Sequence, residues 1–307
     1  MEAFGNARTV RNDNSSRFGK FIELQFKQTG SLIGACVDTY LLEKVRLVHQ
    51  AEGERNFHIF YELLAAANEE ERSKYSLGNF TAKDFKMTSM SGTYDRRDGA
   101  NDAELFDELV FSMGTMGFDP QTQEDILAVT VSFLHASNLS FTAPTEDSSA
   151  VDESNPHLEP VLKLLGIEKD AFKSAMTQYE IDVGNQSYTR QLNVEGAQKA
   201  LEAFIKGTYG ALFSFIVNTV NKRIDYKPQK GVPRLLGKAA SISVLDIFGF
   251  ESFKFNSFEQ LCINYCNEAL QQQFNLFIFK AEQEEYKKEG ERTVHCNFYE
   301  LLVEAAS

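Results

Sequence analysis

The chain has 307 residues, of which 43% are apolar and 24% are charged, and this length is sufficient to bury a sizeable core. Acidic side chains outnumber basic ones by 44 to 31, which gives a formal net charge of −13. A negative field of this size disfavours nonspecific binding to nucleic acid and to membrane surfaces. It does not exclude an acidic protein partner, because a local basic loop can act against the net charge.

The first residues and the cysteines indicate a cellular compartment. The chain starts with a polar, charged stretch, and no apolar run approaches the roughly 18 residues that cross a membrane. The four cysteines do not form two pairs at metal-ligand spacing, so buried thiols are expected rather than a metal site. The sequence therefore predicts a cytoplasmic protein without a transmembrane segment.

Hydrophobic periodicity predicts the elements of the first half. Apolar and polar residues alternate over Phe21–Phe26, and a turn separates this run from a second strand over Leu32–Val37, so an antiparallel hairpin is predicted. From Asn56 the apolar spacing becomes helical. Three further helices are predicted: Asp102 to about Met116, Pro120 to about Ala136, and Pro156–Leu165. Pro120 and Pro156 suit first-turn positions, and Gly166 suits a helix stop.

The second half combines one loop, two long helices and one apolar strand. The polar, acidic stretch Thr142–Asn155 is predicted to be a solvated connector. A long helix is predicted from about Asn193 to Ile224, with its apolar residues in one stripe facing a core. The nearly all-apolar run Ile242–Phe248 predicts a central strand covered on both faces. A second long helix, opened by a capping box, is predicted from Ser257 to about Glu289.

The segment N-D-N-S-S-R at residues 12–17 offers the chemistry of a phosphate site. Transfer of a phosphoryl group from a magnesium nucleotide needs hydroxyl ligands for the metal and donors for the phosphate oxygens. Asn12, Ser15 and Ser16 have these groups, and they end just before a predicted strand. The alternative is a plain polar loop, because Asn, Asp and Ser are also turn formers.

The segment D-I-F-G-F-E at residues 246–251 has the complementary chemistry. A carboxylate at a strand end can lie near the metal, and the backbone amide of Gly249 can approach a phosphate. A second carboxylate, Glu251, is a plausible ion-pair partner for Arg17. A simple turn after a strand remains the alternative for this segment taken alone.

In this order, the two segments resemble switch I and switch II of the myosin motor, and flanking runs extend the resemblance over residues 2–289. These runs are E-A-F-G-N-A at 2–7, R-F-G-K-F-I at 17–22, T-Y-L-L-E-K at 39–44, G-E-R-N-F-H-I-F-Y at 53–61, and N-S-F-E-Q-L-C-I-N-Y with N-E-A-L-Q-Q-Q-F-N at 256–275. The last run resembles the relay helix. Residues 290–307 do not match the family pattern and are interpreted as a divergent C-terminal segment.

The resemblance implies a fold and a set of partners. The implied fold is α/β and predominantly helical: a P-loop NTPase-type motor with strands of a central mixed sheet and a large helical upper 50 kDa-like subdomain. The implied ligand is Mg-ATP, and the implied partner is the actin filament in a cytoplasmic, cytoskeleton-associated setting. Light chains are implied only if a neck lies outside this chain.

The resemblance also implies roles for individual residues. Ser16 would ligate Mg²⁺, with Asp246 just outside the direct ligands, and Asn12 and Gly249 would contact the phosphates. Ser15 would position the attacking water. Arg17 and Glu251 would pair when the site closes.

Two surface segments resemble actin-contacting loops of the family. Thr142–Asn155 resembles loop 4, and Glu180–Asn193 resembles the cardiomyopathy loop, with Gln186 and Tyr188 as the candidate contacts. A neutral Gln186 departs from the acidic or phosphorylatable residue common at that position. For each loop, a solvated connector is the open alternative.

The sequence has no G-x-x-x-x-G-K-[ST] motif, so the cradle for the β- and γ-phosphates is absent from these residues. The resemblance implies a fragment of an actin-based, ATP-driven motor that does not hydrolyse ATP at motor rates as an isolated chain. The alternative is a degenerate motor that binds actin or another partner without turnover.

Overall fold

The structure is a computed structural model, and it describes residues 1–27, 29–183, 186–226, 240–252 and 256–289. The chain divides into two compact units, Met1–Ile247 and the residues from Phe248 onward. Helices dominate both units, and every strand pair in the described ranges is antiparallel. The predicted helical predominance is therefore confirmed, whereas the mixed sheet is not seen among these residues.

The described part of the first unit contains both strands and helices. The strands are β1 (Asn6–Ala7), β2 (Ser15–Ser16), β3 (Gly19–Phe26), β4 (Leu32–Tyr40), β5 (Phe141–Thr145), β6 (Ser148–Val151), β7 (Gln178–Val183), β8 (Gln186–Gln191) and β9 (Ala240–Asp246). The helices are α1 (Glu2–Gly5), α2 (His58–Ala66), α3 (Glu69–Lys74), α4 (Lys86–Ser89), α5 (Asp102–Thr115), α6 (Pro120–Ser137), α7 (Leu158–Leu165), α8 (Lys169–Thr177) and α9 (Val194–Ile224), with a 3₁₀ turn at Lys44–Leu47.

The largest sheet of the first unit has three strands in the order β4-β3-β9. The predicted hairpin is confirmed, because β3 and β4 pair along their whole length. The prediction that Ile242–Phe248 forms a central, covered strand is wrong for the described residues, in which β9 is an edge strand and all seven of its residues are exposed. An apolar run indicates that a strand is suited to burial, but it does not indicate which elements are present to cover it.

The helix ends follow the local sequence. Asn101 and Asp119 each accept a backbone N–H at the start of α5 and α6, and Pro120 occupies the first turn of α6 as predicted. Gly166 ends α7 in a left-handed conformation with φ of 63°. The predicted helix start at Pro156 is two residues too early, because α7 begins at Leu158.

The long helix α9 is the centre of the core. Seven of the eight residues of its predicted stripe are buried, and the eighth, Phe204, is half-buried. One of the seven is Tyr209, whose hydroxyl donates to the carbonyl of Phe4 at 2.8 Å. Near its end, Asn221 donates to the carbonyl of Val37 on β4 and accepts from its N–H, at 2.7 and 2.9 Å. This helix is also long and apolar enough to cross a membrane, a test that core helices of soluble proteins pass too. The predicted absence of a transmembrane segment therefore stays a prediction.

Two surface segments form hairpins. The stretch Thr142–Asn155 is not an irregular loop, because Phe141 pairs with Val151 and Thr145 with Ser148 in the β5–β6 hairpin. Polar composition led to the wrong prediction, since an exposed two-stranded ribbon needs few apolar residues. Strands β7 and β8 form a second hairpin, whose tip at residues 184–185 lies outside the described residues.

The second unit contains helix α10 (Phe258–Lys288), which confirms the predicted long helix. The Gln260 carboxamide oxygen accepts the backbone N–H of Ser257 at 2.8 Å, which is one half of the predicted capping box. Several large apolar side chains of α10 are exposed, including Phe258, Tyr265 and Phe277. The predicted terminator Gly290 and the C-terminal segment 290–307 lie outside the described residues.

The cysteines fit the predicted thiols in part. Cys36, Cys262 and Cys266 are unbridged, and each is half-buried rather than fully buried. Burial raises the pKa of the Cys36 thiol, which disfavours its reactive thiolate. Cys296 lies outside the described residues.

Replacing Gly5 by Ala is expected to destabilise the protein by about 1–3 kcal/mol, because the added methyl group overpacks the core. A Cβ at Gly5 would overlap the Phe18 ring and lie 3.2 Å from the ring of Phe213. The matched control is Gly207→Ala in α9, where a Cβ meets no atom within 4 Å and helix propensity predicts a gain of up to about 1 kcal/mol. Urea unfolding measures both, and equal stabilities of the two variants would contradict the expectation.

Candidate functional site

The serine loop, defined as residues 8–17, is shaped by its own polar groups. The backbone N–H of Thr9 donates to the carbonyl of Asn12 at 2.8 Å, and the Asn12 carboxamide oxygen accepts the N–H of Asn14 at 2.9 Å. Such local bonds to Asn and Thr side chains are typical of tight turns. The side chain of Asn12 is exposed at the surface of this turn.

The two serines of the loop lie on a short strand pair. Ser15 and Ser16 form β2, which pairs with Ala7 and Asn6 of β1, and both serines are half-buried. Pairing fixes the backbone of β2 and leaves the hydroxyl groups partly accessible. The structure therefore places the two serines, which are the predicted metal and water-positioning residues, on a paired strand.

Arg17 follows the serines and lies in a buried network of charges. Its Nε donates to Glu43 Oε2 at 2.8 Å, and the Nε of Arg46 donates to the same oxygen at 2.7 Å. Burial by itself would raise the pKa of Glu43, but Arg46 and Arg17 outweigh burial and lower it. Glu43 is therefore a charged carboxylate that fixes Arg17.

Asp246 ends β9 opposite Lys20, which is at the start of β3. The Lys20 ammonium lies 3.1 Å from Asp246 Oδ2, and the side chain of Asp246 is half exposed. The next residue, Ile247, lies 3.2 Å from the position that a Cβ on Gly19 would take. The register therefore brings Asp246 to the end of the sheet where the serine loop enters β3.

The second predicted segment continues into the other structural unit and is tied to α10. The Asn264 carboxamide accepts the N–H of Glu251 and donates to its carbonyl, both at 2.8 Å, and Asn267 donates to the carbonyl of Phe248 at 2.9 Å. Gln260 donates to the buried Glu251 carboxylate at 3.4 Å. The backbone before α10 is thus fixed to the first turns of that helix. A Cβ at Gly249 would meet no described atom within 4 Å.

The predicted actin contacts lie on the β7–β8 hairpin. Gln186 begins β8, and its side chain lies outside what the structure describes. Tyr188 is exposed over 53% of its surface. Their role as contacts stays a prediction.

Similar sequences among known proteins show the family of this chain. A family model described as "Myosin head (motor domain)" matches residues 1–303. The chain belongs to the myosin motor family. Similar proteins include a "Myosin-I heavy chain" of Dictyostelium discoideum, 42% identical over 94% of this chain and 12% of that protein. Two others are an "Unconventional myosin-Vc" of Homo sapiens (41%, over 97% and 16%) and an "Unconventional myosin-Ic-A" of Xenopus laevis (40%, over 94% and 28%).

The chain therefore spans between 12% and 28% of the length of these myosins. Within the described ranges, no three His, Cys, Asp or Glu side chains are grouped as a metal site. A magnesium ion bound with a nucleotide does not require such a group, because phosphates and waters supply most of its ligands. The half-buried Ser16 hydroxyl and the half-exposed Asp246 carboxylate of this myosin segment have the oxygen chemistry that Mg²⁺ prefers.

Sequence reasoning missed several residues that hold this site. The sequence pattern does not indicate a role for Glu43, which lies in a run that resembles the family. It does not indicate one for Arg97 or His58 either. Arg97 Nε donates to Asp13 Oδ1 of the serine loop at 2.8 Å across 84 positions of sequence. Contacts between such distant charged residues leave no local pattern in the sequence.

Proposed function

We propose that this myosin segment comes from an actin-based motor that couples the binding and hydrolysis of Mg-ATP to movement on actin filaments. The main support is the β3–β9 register, in which Lys20 lies opposite Asp246. Because of this register, the end of the serine loop and the first carboxylate of the second segment lie at one end of the sheet. This is the arrangement that a shared phosphate and metal site requires.

The bound Mg-nucleotide would supply the transferable phosphoryl group and the divalent charge. Ser16 is the proposed ligand of Mg²⁺, and Asp246 would orient a water bound to the metal. Asn12 and the Gly249 amide are proposed donors to the phosphates, and Ser15 would position the attacking water. Arg17 and Glu251, which belong to separate structural units, are the proposed ion pair of the closed site.

The bonds from Asn264 and Asn267 to residues 248–251 support a role for α10 as the relay helix. A shift of the Gly249 backbone on phosphate binding would act directly on the first turns of that helix. The helix would then pass the nucleotide state outward, as in other two-state switches. The P-loop NTPase-type layout with an upper 50 kDa-like subdomain is part of the same proposal.

Actin is the proposed partner, contacted through Gln186 and Tyr188 and through the β5–β6 hairpin. The proposed setting is cytoplasmic and cytoskeleton-associated. Light chains are proposed only if a neck lies outside these residues. The division at residue 289 also stays a prediction, although the family match extends to residue 303.

A non-catalytic actin- or partner-binding protein is the second candidate. One observation favours it: none of the 307 residues forms a phosphate-cradling G-x-x-x-x-G-K-[ST] motif. Genomic sequence upstream of Met1 separates the two candidates. An in-frame motif of this kind favours the motor, and its absence favours the binding protein.

Replacing Ser16 by Ala is expected to lower actin-activated ATP turnover by roughly a hundredfold or more, because a metal ligand acts on the transition state. The measurement uses the full-length protein, meaning the longest gene product that carries these residues. Ser31→Ala, in the exposed β3–β4 turn, is the matched control and should leave turnover unchanged. Undiminished turnover in Ser16→Ala would contradict the proposed site, and actin-activated turnover by the isolated 307 residues would contradict the need for the missing motif.

A further inference from the structure

A short charged segment, residues 95–98 (D-R-R-D), packs against the serine loop from the region before α5. The Arg97 guanidinium binds Asp13 through Nε and Nη2, at 2.8 and 2.7 Å, and its backbone N–H donates to the other Asp13 oxygen at 2.8 Å. The same guanidinium donates to the carbonyls of Thr9 and Val10, at 2.9 and 3.2 Å. One arginine thus contacts three residues of a single turn.

A second arginine strengthens this contact from inside the loop. Arg8 is buried, and its Nη1 lies 2.9 Å from both the carbonyl and the carboxylate of Asp95. Its Nε lies 3.6 Å from Asp13. Hydrogen bonds from Arg97, more than any other cause, lower the pKa of Asp13, so this buried carboxylate stays charged.

The neighbouring Arg96 reaches the loop through a histidine. Arg96 is paired with Asp98 at 2.6 and 3.0 Å, and its Nη1 lies 3.4 Å from His58 Nδ1. Because a guanidinium can only donate, Nδ1 accepts and the proton of neutral His58 is on Nε2. This Nε2 then donates to Asn14 Oδ1 at 3.2 Å.

The neutral state of His58 follows from its surroundings. Burial and then the nearby positive charge of Arg96 lower the pKa of His58 to about 3. Asn14 also accepts a hydrogen bond from the carboxamide of Asn6, in β1, at 3.1 Å. Both residues that directly precede Ser15 are therefore held by side chains from outside the loop.

We propose that residues 95–98 act as a clip that positions Ser15 and Ser16 for the magnesium nucleotide, with Arg97 as the principal positioning residue. This inference rests on the proposed function for its effect on catalysis. The clip acts on the serines through Asp13 and, by way of His58, through Asn14. Its loss frees the turn that leads into β2 and so loosens the β1–β2 pair that holds the two serines.

The first test measures the loop without any nucleotide. Amide hydrogen exchange of the 307-residue chain is compared between the wild type, Arg97→Ala, Arg97→Lys and Arg11→Ala, which removes an exposed arginine of the same loop. In Arg97→Ala, exchange in residues 9–16 is expected to rise about tenfold, while the core helix α6 keeps its protection. Arg97→Lys should rise less, and Arg11→Ala should not change.

The second test measures catalysis in the full-length protein. Arg97→Ala is expected to lower kcat about tenfold with little change in KM, because misplaced hydroxyls fail mainly in the transition state. Asp13→Asn should have a similar effect. The double variant should be no worse than Arg97→Ala, since both changes break the same contact.

The outcomes separate this inference from the proposed function. Unchanged exchange in residues 9–16 overturns the clip, and so does unchanged kcat in a variant whose loop exchange has risen. A wild-type protein that does not bind or hydrolyse Mg-ATP overturns the proposed function. In that case localised exchange in Arg97→Ala still supports the clip as the device that orders the loop.

Discussion

Replacing Asp102 by Ala is expected to destabilise the protein by about 3–5 kcal/mol, because the change leaves a buried guanidinium without its counter-charge. Arg55 is fully buried, and its two terminal nitrogens each donate to one oxygen of Asp102 at 3.0 Å. The guanidinium also lies 3.8 Å above the ring of Tyr61. Without Asp102, the charge keeps this ring, a 3.2 Å bond to the carbonyl of Tyr94 and the attraction of Glu62.

Urea unfolding at pH 7.5 measures the loss. Asp107→Ala removes an exposed acid of the same helix α5 and should change stability by less than about 0.5 kcal/mol. Replacing Arg55 by Leu in the Asp102→Ala background should recover part of the loss, because the stranded charge is then removed. A loss of under about 1 kcal/mol in the single variant would show that Arg55 is solvated in a way the structure does not indicate.

The second large effect is expected on acidification and centres on two buried histidines. His135 of α6 and His157, which precedes α7, face each other with their Nδ1 atoms 2.8 Å apart. His135 Nε2 lies 3.0 Å from the carbonyl of Tyr75, which can only accept, so Nε2 has the proton. The Nδ1 of His135 is then an acceptor, and the Nδ1 of His157 must donate to it.

The remaining ring nitrogen, Nε2 of His157, accepts a hydrogen bond from Asn138. Asn138 accepts the backbone N–H of Lys86 at 2.8 Å with its oxygen, so its amino group faces His157 Nε2 at 3.2 Å and donates to it. Every bond is thus satisfied when both rings are neutral. A proton added to either ring sets two donors against each other at one of these contacts.

Acid should therefore weaken the fold through His135. Burial lowers its pKa from an ordinary value of 6.5 to about 4, and burial followed by the charge of Lys86 lowers the pKa of His157. Because the folded pKa lies below the unfolded one, the contribution to stability is complete above pH 6.5 and is lost as the pH falls toward 4. The loss from His135 is about 2–3 kcal/mol over that window.

A difference measurement isolates this term from other titrating groups. Acidification also lowers stability through His58, whose pKa is lowered in the folded protein. Burial raises the pKa of Glu62 to about 7, so acidification between about pH 7 and 4.5 raises stability through this group. The variant His135→Phe loses the chain of bonds and should be about 2–3 kcal/mol less stable at pH 7.5. The stability gap to the wild type should then shrink steadily between pH 6.5 and 4.5.

Denaturant unfolding at several pH values follows this gap, with His49→Gln as the control because His49 is exposed. The gap between that control and the wild type should stay constant. If the gap for His135→Phe is also constant, the histidine pair does not sense pH.

Much of the helical fold was predictable because its signals are local. Asp119 with Pro120 marks the start of α6, and Gly166 marks the end of α7. The stripe of α9 follows from the spacing of residues such as Leu201, Ile205 and Tyr209. Each of these patterns lies within about one or two turns of chain, where backbone geometry decides the outcome.

The errors concern features that depend on distant partners. The apolar run of β9 indicated a covered strand, yet coverage depends on elements elsewhere in the chain. The polar composition of β5 and β6 did not indicate that two strands form and that Phe141 pairs with Val151. Asp13 lies within the motif that was identified, but its anchor Arg97 is 84 positions away. The site residues stay predictions from the family resemblance, whereas the side chains that support the serine loop could not be predicted from it.

The carboxamide of Asn221 occupies the hydrogen-bonding groups at one position on the outer edge of the three-stranded sheet. At Val37 it offers one donor and one acceptor at peptide spacing, so it occupies the place where a further backbone would join β4. On the opposite side of the sheet, no described side chain occupies the outer edge of β9 in this way, and all residues of that strand are exposed. Among the described residues, a further strand would therefore meet an obstacle at Val37 of β4 that it would not meet beside Ala240–Asp246.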